Sequence, residues 1–145
     1  MSSGIRFTNR EMRSIALFES ITGAGVKDCI IDEKLNRIIY VVNQGESGLA
    51  IGKGGRNIHL LEKMTGKKHE VVEYSENPIT FIKNSLRPAQ VKEIRITERP
   101  DGKKIAVVSV SLKNKGIAIG RNGEKAERTR LLAKRYFQID KVSIL

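Results

Sequence analysis

Apolar positions along this chain change period in a fixed order, and the order is written twice. Thr8 followed by Glu11 has the form of a capping box, and behind it Met12, Ile15, Ala16 and Ile21 recur close to the helical period until Gly23. Val26 to Ile31 and Arg37 to Val42 are β-branched, apolar runs joined by the polar turn Asp32-Glu33-Lys34, which predicts two strands. After a glycine-rich segment, Ile58, Leu61 and Met64 share one helical face that Gly66 ends, and Val71 and Val72 suit a closing strand.

The second passage opens at Asn77-Pro78, a capping side chain ahead of a proline at the first helical position, with Ile79, Ile82 and Leu86 as its apolar stripe before Pro88. Strands are predicted at Val91 to Thr97 and Ile105 to Leu112, around the turn Pro100-Asp101-Gly102. A helix from about Lys125 to Tyr136 and a strand near Val142 to Leu145 complete it. The two passages align at Gly48-Leu49-Ala50-Ile51-Gly52-Lys53-Gly54-Gly55 and Gly116-Ile117-Ala118-Ile119-Gly120-Arg121-Asn122-Gly123, an offset of 68 residues from Gly52 to Gly120. This repeat predicts an α+β protein of two consecutive domains, residues 1–73 and 74–145, each in the order α-β-β-α-α-β with the glycine motif between its last two helices.

Composition sharpens that picture. The chain's 145 residues allow one ordinary domain or two small ones, and the repeat selects two. With 39% hydrophobic and 30% charged residues the chain has enough apolar material for small cores and is not of disordered type. The net charge of +11 points to a polyanionic partner, nucleic acid first. The excess sits mainly in residues 74–145, which hold 16 basic and 7 acidic side chains against 11 and 9 in residues 1–73. No apolar run approaches the roughly 20 residues needed to cross a bilayer, and Met1 to Asn9 lacks the apolar stretch of a signal peptide, so a cytoplasmic protein without a membrane partner is expected.

Cys29 is the single cysteine, which excludes an intramolecular disulfide; with only His59 and His69 beside it, neither a metal nor another cofactor is expected. No signature or acidic partner joins these three into a nucleophile and base, so Cys29 reads as strand packing and the histidines as surface residues. Aromatic residues are 5% with no tryptophan, so base contacts are expected to be apolar and backbone-mediated rather than stacked.

Glycine at both ends of a Gly-x-x-Gly turn lets the main chain approach a ligand, and the N–H groups of the following helix then face a phosphate. Lys53 and Arg56 bracket the first turn, and Arg121 and Lys125 the second. A tight helix-helix turn would also use such glycines, but duplication with an apolar residue ahead and basic residues within favours a backbone-binding loop. A Walker loop would need glycine at Ser47 and a hydroxyl at Gly54, and a dinucleotide fingerprint would need glycine at Asp28.

The run Ala50-Ile51-Gly52-Lys53-Gly54-Gly55-Arg56-Asn57-Ile58 resembles the KH signature, and the leading helix makes each unit similar to the type II KH arrangement, a three-stranded sheet packed against helices. Thr65-Gly66 together with Phe81-Ile82-Lys83-Asn84-Ser85-Leu86-Arg87-Pro88-Ala89-Gln90-Val91 resembles the KH pair of the archaeal NusA family. The resemblance implies a loop that clamps about four nucleotides of single-stranded RNA beside an apolar groove for the bases. It assigns RNA binding to Ile51, Gly52, Lys53, Gly54, Gly55 and Arg56, and to Ile119, Gly120, Arg121, Asn122, Gly123 and Lys125. It further implies a transcription elongation, termination or antitermination factor acting on nascent RNA, with the RNA polymerase elongation complex as a further partner. Bacterial NusA carries a polymerase-binding region and an oligonucleotide-binding barrel ahead of its KH pair; these 145 residues have no room for either, so polymerase contact does not follow by homology.

Glu124 stands where the first motif has Arg56, which weakens the case for the second loop, while Lys125, Arg128, Arg130, Lys134 and Arg135 suggest a basic stripe on the helix that follows it. Two other readings stay open: a ribosomal or ribosome-biogenesis RNA-binding protein, which the charge also suits, and a metal-dependent nuclease, for which no clustered carboxylate motif is present. No catalytic residue is expected.

Overall fold

The computed structural model describes residues 6–145. The expectations for residues 1–5, that they open the first domain and carry no leader, lie outside the described residues. The chain divides into two compact units between Tyr74 and Ser75.

In the first unit, helix α1 (Asn9–Thr22) starts where Thr8 and Glu11 form the expected capping box, the Thr8 hydroxyl accepting from the Glu11 N–H at 3.2 Å and the Glu11 carboxylate from the Thr8 N–H at 2.7 Å. Gly23, at φ +75°, closes the helix in the left-handed region that glycine enters without a steric cost. Strands β1 (Val26–Asp32) and β2 (Arg37–Val42) pair antiparallel, helices α2 (Ser47–Ile51) and α3 (Arg56–Thr65) follow, and β3 (Lys68–Glu73) returns parallel to β2, giving the sheet order β1-β2-β3. Phe18, Cys29, Ile38, Tyr40, Val42, Ala50 and Leu61 form the core. Fully burying each of the larger apolar side chains contributes about 1.5–3 kcal/mol.

The second unit repeats the plan: α4 (Pro78–Leu86), β4 (Val91–Glu98), β5 (Lys104–Val110), α5 (Leu112–Ile119), α6 (Glu124–Phe137) and β6 (Ile139–Ile144), with sheet order β4-β5-β6. The Asn77 side chain accepts from the N–H groups of Ile79 and Thr80, and Pro78 is the first helical residue, as its fixed φ favours. Ile82, Leu86, Ile94, Ala106, Val108, Ala118, Ala133, Ile139 and Val142 build its core. Among the described residues, no helix is long and apolar enough to cross a membrane.

Several expectations are corrected. Phe18, rather than Met12, carries the buried face of α1, where it stacks on Tyr40 at 3.9 Å; Met12 and Met64 are exposed. His69 is not on the surface: it is the second residue of β3, buried with its ring 5.6 Å from that of Tyr40. Leu112 does not end β5 but begins α5, because Ser111 turns the chain and the following residues hydrogen bond as a helix. Arg37 is also buried, its Nε donating to Asp32 at 2.9 Å and its Nη1 to Glu70 at 3.2 Å, so one side chain from β2 ties together both neighbouring strands.

Candidate nucleic-acid interface

The two glycine motifs fold into the same backbone. Gly52 sits at φ +79°, ψ 166° and Gly120 at φ +79°, ψ 169°, a region open essentially to glycine alone. Gly54 (+64°, 18°) and Asn122 (+56°, 23°) then take left-handed positions, as do Gly55 (+76°, 16°) and Gly123 (+73°, 12°). Asparagine is among the few non-glycine residues that tolerate this conformation, so Asn122 replaces Gly54 without changing the turn. Each turn is closed by a main-chain hydrogen bond, Gly55 N–H to the Gly52 carbonyl at 3.0 Å and Gly123 N–H to the Gly120 carbonyl at 3.1 Å.

The turns deliver the chain into α3 and α6 with glycine at both N-caps, so neither cap residue offers a side-chain acceptor to the first helical N–H groups. Helices α1 and α4 differ: Thr8 and Asn77 accept from theirs. Lys53, Gly54 and Arg56 are exposed around the first turn, as are Arg121 and Asn122 around the second. Ile51 (39% exposed) and the half-buried Ile119 precede the two turns, so the residues assigned to each loop are brought together at one end of each helix pair. Leu49, Ile117 and Leu60 are further exposed apolar residues near the loops. Leu49 and Ile117 stand in the repeated motif without a role being expected of them, and Leu60 has no sequence signal that separates it from the other apolar residues of α3.

Lys125 is placed differently from the other residues of its loop. Its ammonium donates to the Ile117 carbonyl at 3.0 Å, and the matching residue of the first unit, Asn57, donates its amide to the Leu49 carbonyl at 3.1 Å. Both therefore serve the carbonyl end of the helix ahead of the turn, where the macrodipole favours a donor or a cation.

The basic stripe expected on α6 is broken at Arg128, while Arg130, Lys134 and Arg135 stay exposed. Arg128 turns inward and donates to the Ser85 carbonyl, beside a hydroxyl pair, Ser85 and Thr129, with oxygens 2.6 Å apart. Arg130 reaches the Val142 carbonyl at 3.3 Å, and Lys134 pairs with Asp140 at 2.5 Å. Among the described residues, no group of three or more His, Cys, Asp or Glu side chains is arranged to hold a metal ion. Burial raises the Cys29 thiol to about 12, with the carboxylates of Glu11 and Asp28 adding to the effect, which leaves it inert as a nucleophile.

The KH domain family profile matches residues 12–76, and the profile for the NusA-like second KH domain matches residues 78–143. The chain is 35% identical over 140 residues to the probable transcription termination protein NusA of Halococcus morrhuae, covering 97% of this chain and 98% of that protein. It is 30% identical over 141 residues to the protein of the same name from Methanocaldococcus jannaschii, covering 97% of this chain and 75% of that one. The crystal structure of APE1850 matches with a TM-score of 0.83 at 43% identity, over 96% of this chain and all of that one.

Proposed function

The chain belongs to the archaeal NusA family of tandem KH-domain proteins, and from that premise we propose that it binds single-stranded nascent RNA and acts in transcription elongation, termination or antitermination. The observation that carries this reading is the duplicated glycine turn, whose dihedral angles agree between the units and which opens onto helix N-termini without a capping side chain.

Gly52, Gly54 and Gly55 bring the backbone close to the phosphates, Lys53 and Arg56 supply charge, and Ile51 meets a base. In the second unit Gly120, Asn122 and Gly123 form the approach, Arg121 supplies charge and Ile119 the apolar contact. The function is binding without turnover, carried out where the transcribing polymerase exposes its product.

Unpaired bases are required because an A-form duplex hides its base edges in a deep, narrow groove. The full chain should therefore prefer a single strand to a perfect duplex of the same sequence in an anisotropy titration. Its affinity should fall with salt, with a log-log slope of roughly −0.7 for each phosphate contacted. Gly52→Asp and Gly120→Asp should each weaken binding while circular dichroism remains native. Equal affinity for the duplex, or full retention in both variants, would refute the reading.

A further inference from the structure

The two glycine turns share a backbone but not an electrostatic setting, and the difference reverses across the turn. On the far side, Arg56 of the first unit is matched by Glu124 in the second, which disfavours a phosphate there. On the near side the change runs the other way. In the first unit, the Glu46 carboxylate accepts from the Gly25 N–H at 2.6 Å, just before β1, and Ser47 donates its hydroxyl to Glu73 at 2.8 Å. Two carboxylates thus lie at the base of α2. In the second unit the same staple is neutral: Asn114 accepts from the Gln90 N–H at 3.1 Å, just before β4, and its own amide donates to Ser111 at 3.1 Å. Lys113 and Lys115 flank Asn114, at positions that hold Gly45 and Ser47 in the first unit.

The helix is also longer on this side. Helix α2 begins at Ser47, whereas α5 begins at Leu112 and has an added turn that the Asn114 staple holds. With 100° per residue, the buried Ala118 and the half-buried Asn114 define the inward face of α5, and Leu112 and Gly116 lie on the opposite face. Lys113 and Lys115 border that outward strip on its two sides, and both are exposed, as is Leu112 at 90%. A Cβ built on Gly116 would meet nothing within 4 Å, so the strip is open down to the Gly120 turn.

We infer that the second unit holds the RNA backbone on the α5 side of its turn, through Lys113 and Lys115, whereas the first holds it on the α3 side, through Arg56. Phosphates run along the Leu112–Gly116–Gly120 strip between the two ammonium groups, and Leu112 offers an apolar surface to a base. The inference rests on the RNA-binding reading above and deepens it: the second loop stays in use despite Glu124 because Lys113 and Lys115 on the preceding helix, beside Arg121 in the turn, replace the cation that Arg56 supplies in the first unit.

The test is the full chain titrated with an unstructured, fluorescein-labelled A/C-rich RNA strand at several salt concentrations. Compared are wild type, Arg56→Gln, the double variant Lys113→Gln/Lys115→Gln, and a control double variant at two other exposed lysines, Lys92→Gln/Lys103→Gln. The Lys113/Lys115 variant should weaken binding and flatten the log-log salt slope by roughly 1.4, two contacts at about 0.7 each, with the control moving it by less than one contact. Wild-type affinity and slope in the Lys113/Lys115 variant, with Arg56→Gln weakened, overturn this inference and leave the RNA-binding reading standing. Equal losses in both double variants also overturn it, since they would report net charge alone. A wild-type chain that does not bind the strand overturns both.

Discussion

The first unit fastens its sheet with charge, and the second fastens its helices with hydroxyls. In the first, Arg37 on β2 reaches Asp32 on β1 and Glu70 on β3, and a stack of Phe18, Tyr40 and His69 lies beneath α1. In the second, the Ser85–Thr129 pair joins α4 to α6, and Phe81 packs against Tyr136 and Phe137 with ring centroids 5.5 and 5.6 Å away. Yet the element order and the dihedral angles of the glycine turn are the same. The shared backbone therefore depends on caps and left-handed residues, while the chemistry that stabilises each core is free to differ.

Loss of the Arg37 guanidinium should destabilise the first unit more than any other single change. Arg37→Met leaves Asp32 and the buried Glu70 without their guanidinium, and removing one partner of a buried ion pair costs about 3–5 kcal/mol. Hydrogen exchange should show the loss in the amides of β1, β2 and β3, with those of β4, β5 and β6 protected as before. Equal loss in both sheets would mean that the charge network is not local to the first unit.

The next effect separates two turns that look alike. An alanine at Gly52 or Gly120 must adopt a backbone region essentially reserved for glycine, at a cost of about 1–3 kcal/mol. Its Cβ would in addition lie 2.8 Å from the Asn57 amide nitrogen at Gly52, but 2.8 Å from the Lys125 Cβ and 3.1 Å from the Lys125 main-chain nitrogen at Gly120. The Asn57 side chain can rotate away; the Lys125 backbone cannot. Gly120→Ala should accordingly lower the urea midpoint more than Gly52→Ala, and the reverse order would show that the second turn is the more yielding one.

These features differ in how far they could be read without a structure. The capping box at Thr8 and Glu11, the stop at Gly23, the Asn77-Pro78 start and the repeated turn were all legible, because each is a local rule in which one residue type meets one backbone need. The placement of Phe18, Met12 and Met64 was not, since α1 and α3 carry apolar residues on more than one face and tertiary packing selects between them. His69 reads as a surface residue and Arg37 as the first residue of a strand; only the pairing of β2 with β1 and β3 shows that both are buried. In the site, glycine spacing identified the turns, but the roles of Lys125 and Asn114 depend on carbonyl and N–H partners 8 and 24 residues away.

Acid should act on the first unit. Contact between His69 Nδ1 and the Lys67 carbonyl at 3.0 Å requires a proton on Nδ1, which leaves Nε2 as an acceptor, buried and without a hydrogen-bond partner. Burial holds its pKa below the ordinary value of 6.5, and the Lys67 carbonyl and the Glu62 carboxylate offset this only in part. The unfolded chain then binds more protons than the folded one between the two pKa values, so stability rises with pH in that window. The contribution is fully present above pH 6.5 and declines as the pH falls toward the folded value. Residues 75–145 contain no histidine. Urea midpoints from pH 7.5 down to 5.5 should fall for the wild type and flatten in His69→Phe, and an unchanged slope in that variant would place the sensitivity elsewhere.

The smallest effect concerns Lys125, the one residue assigned to the second loop whose polar end is turned back onto the protein. If its ammonium serves the Ile117 carbonyl, asparagine should replace it, because Asn57 does the same for Leu49 at nearly the same distance. Lys125→Met, which keeps the stem but removes the donor, should cost about 0.5–1.5 kcal/mol, the usual net worth of one hydrogen bond, and Lys125→Asn should recover part of it. RNA affinity and its salt slope should be wild type in Lys125→Asn. A slope flatter by about 0.7 would place the ammonium on a phosphate instead. It would also mean that the second unit grips RNA on the same side of its turn as the first, and that the resemblance between the loops extends from backbone to charge.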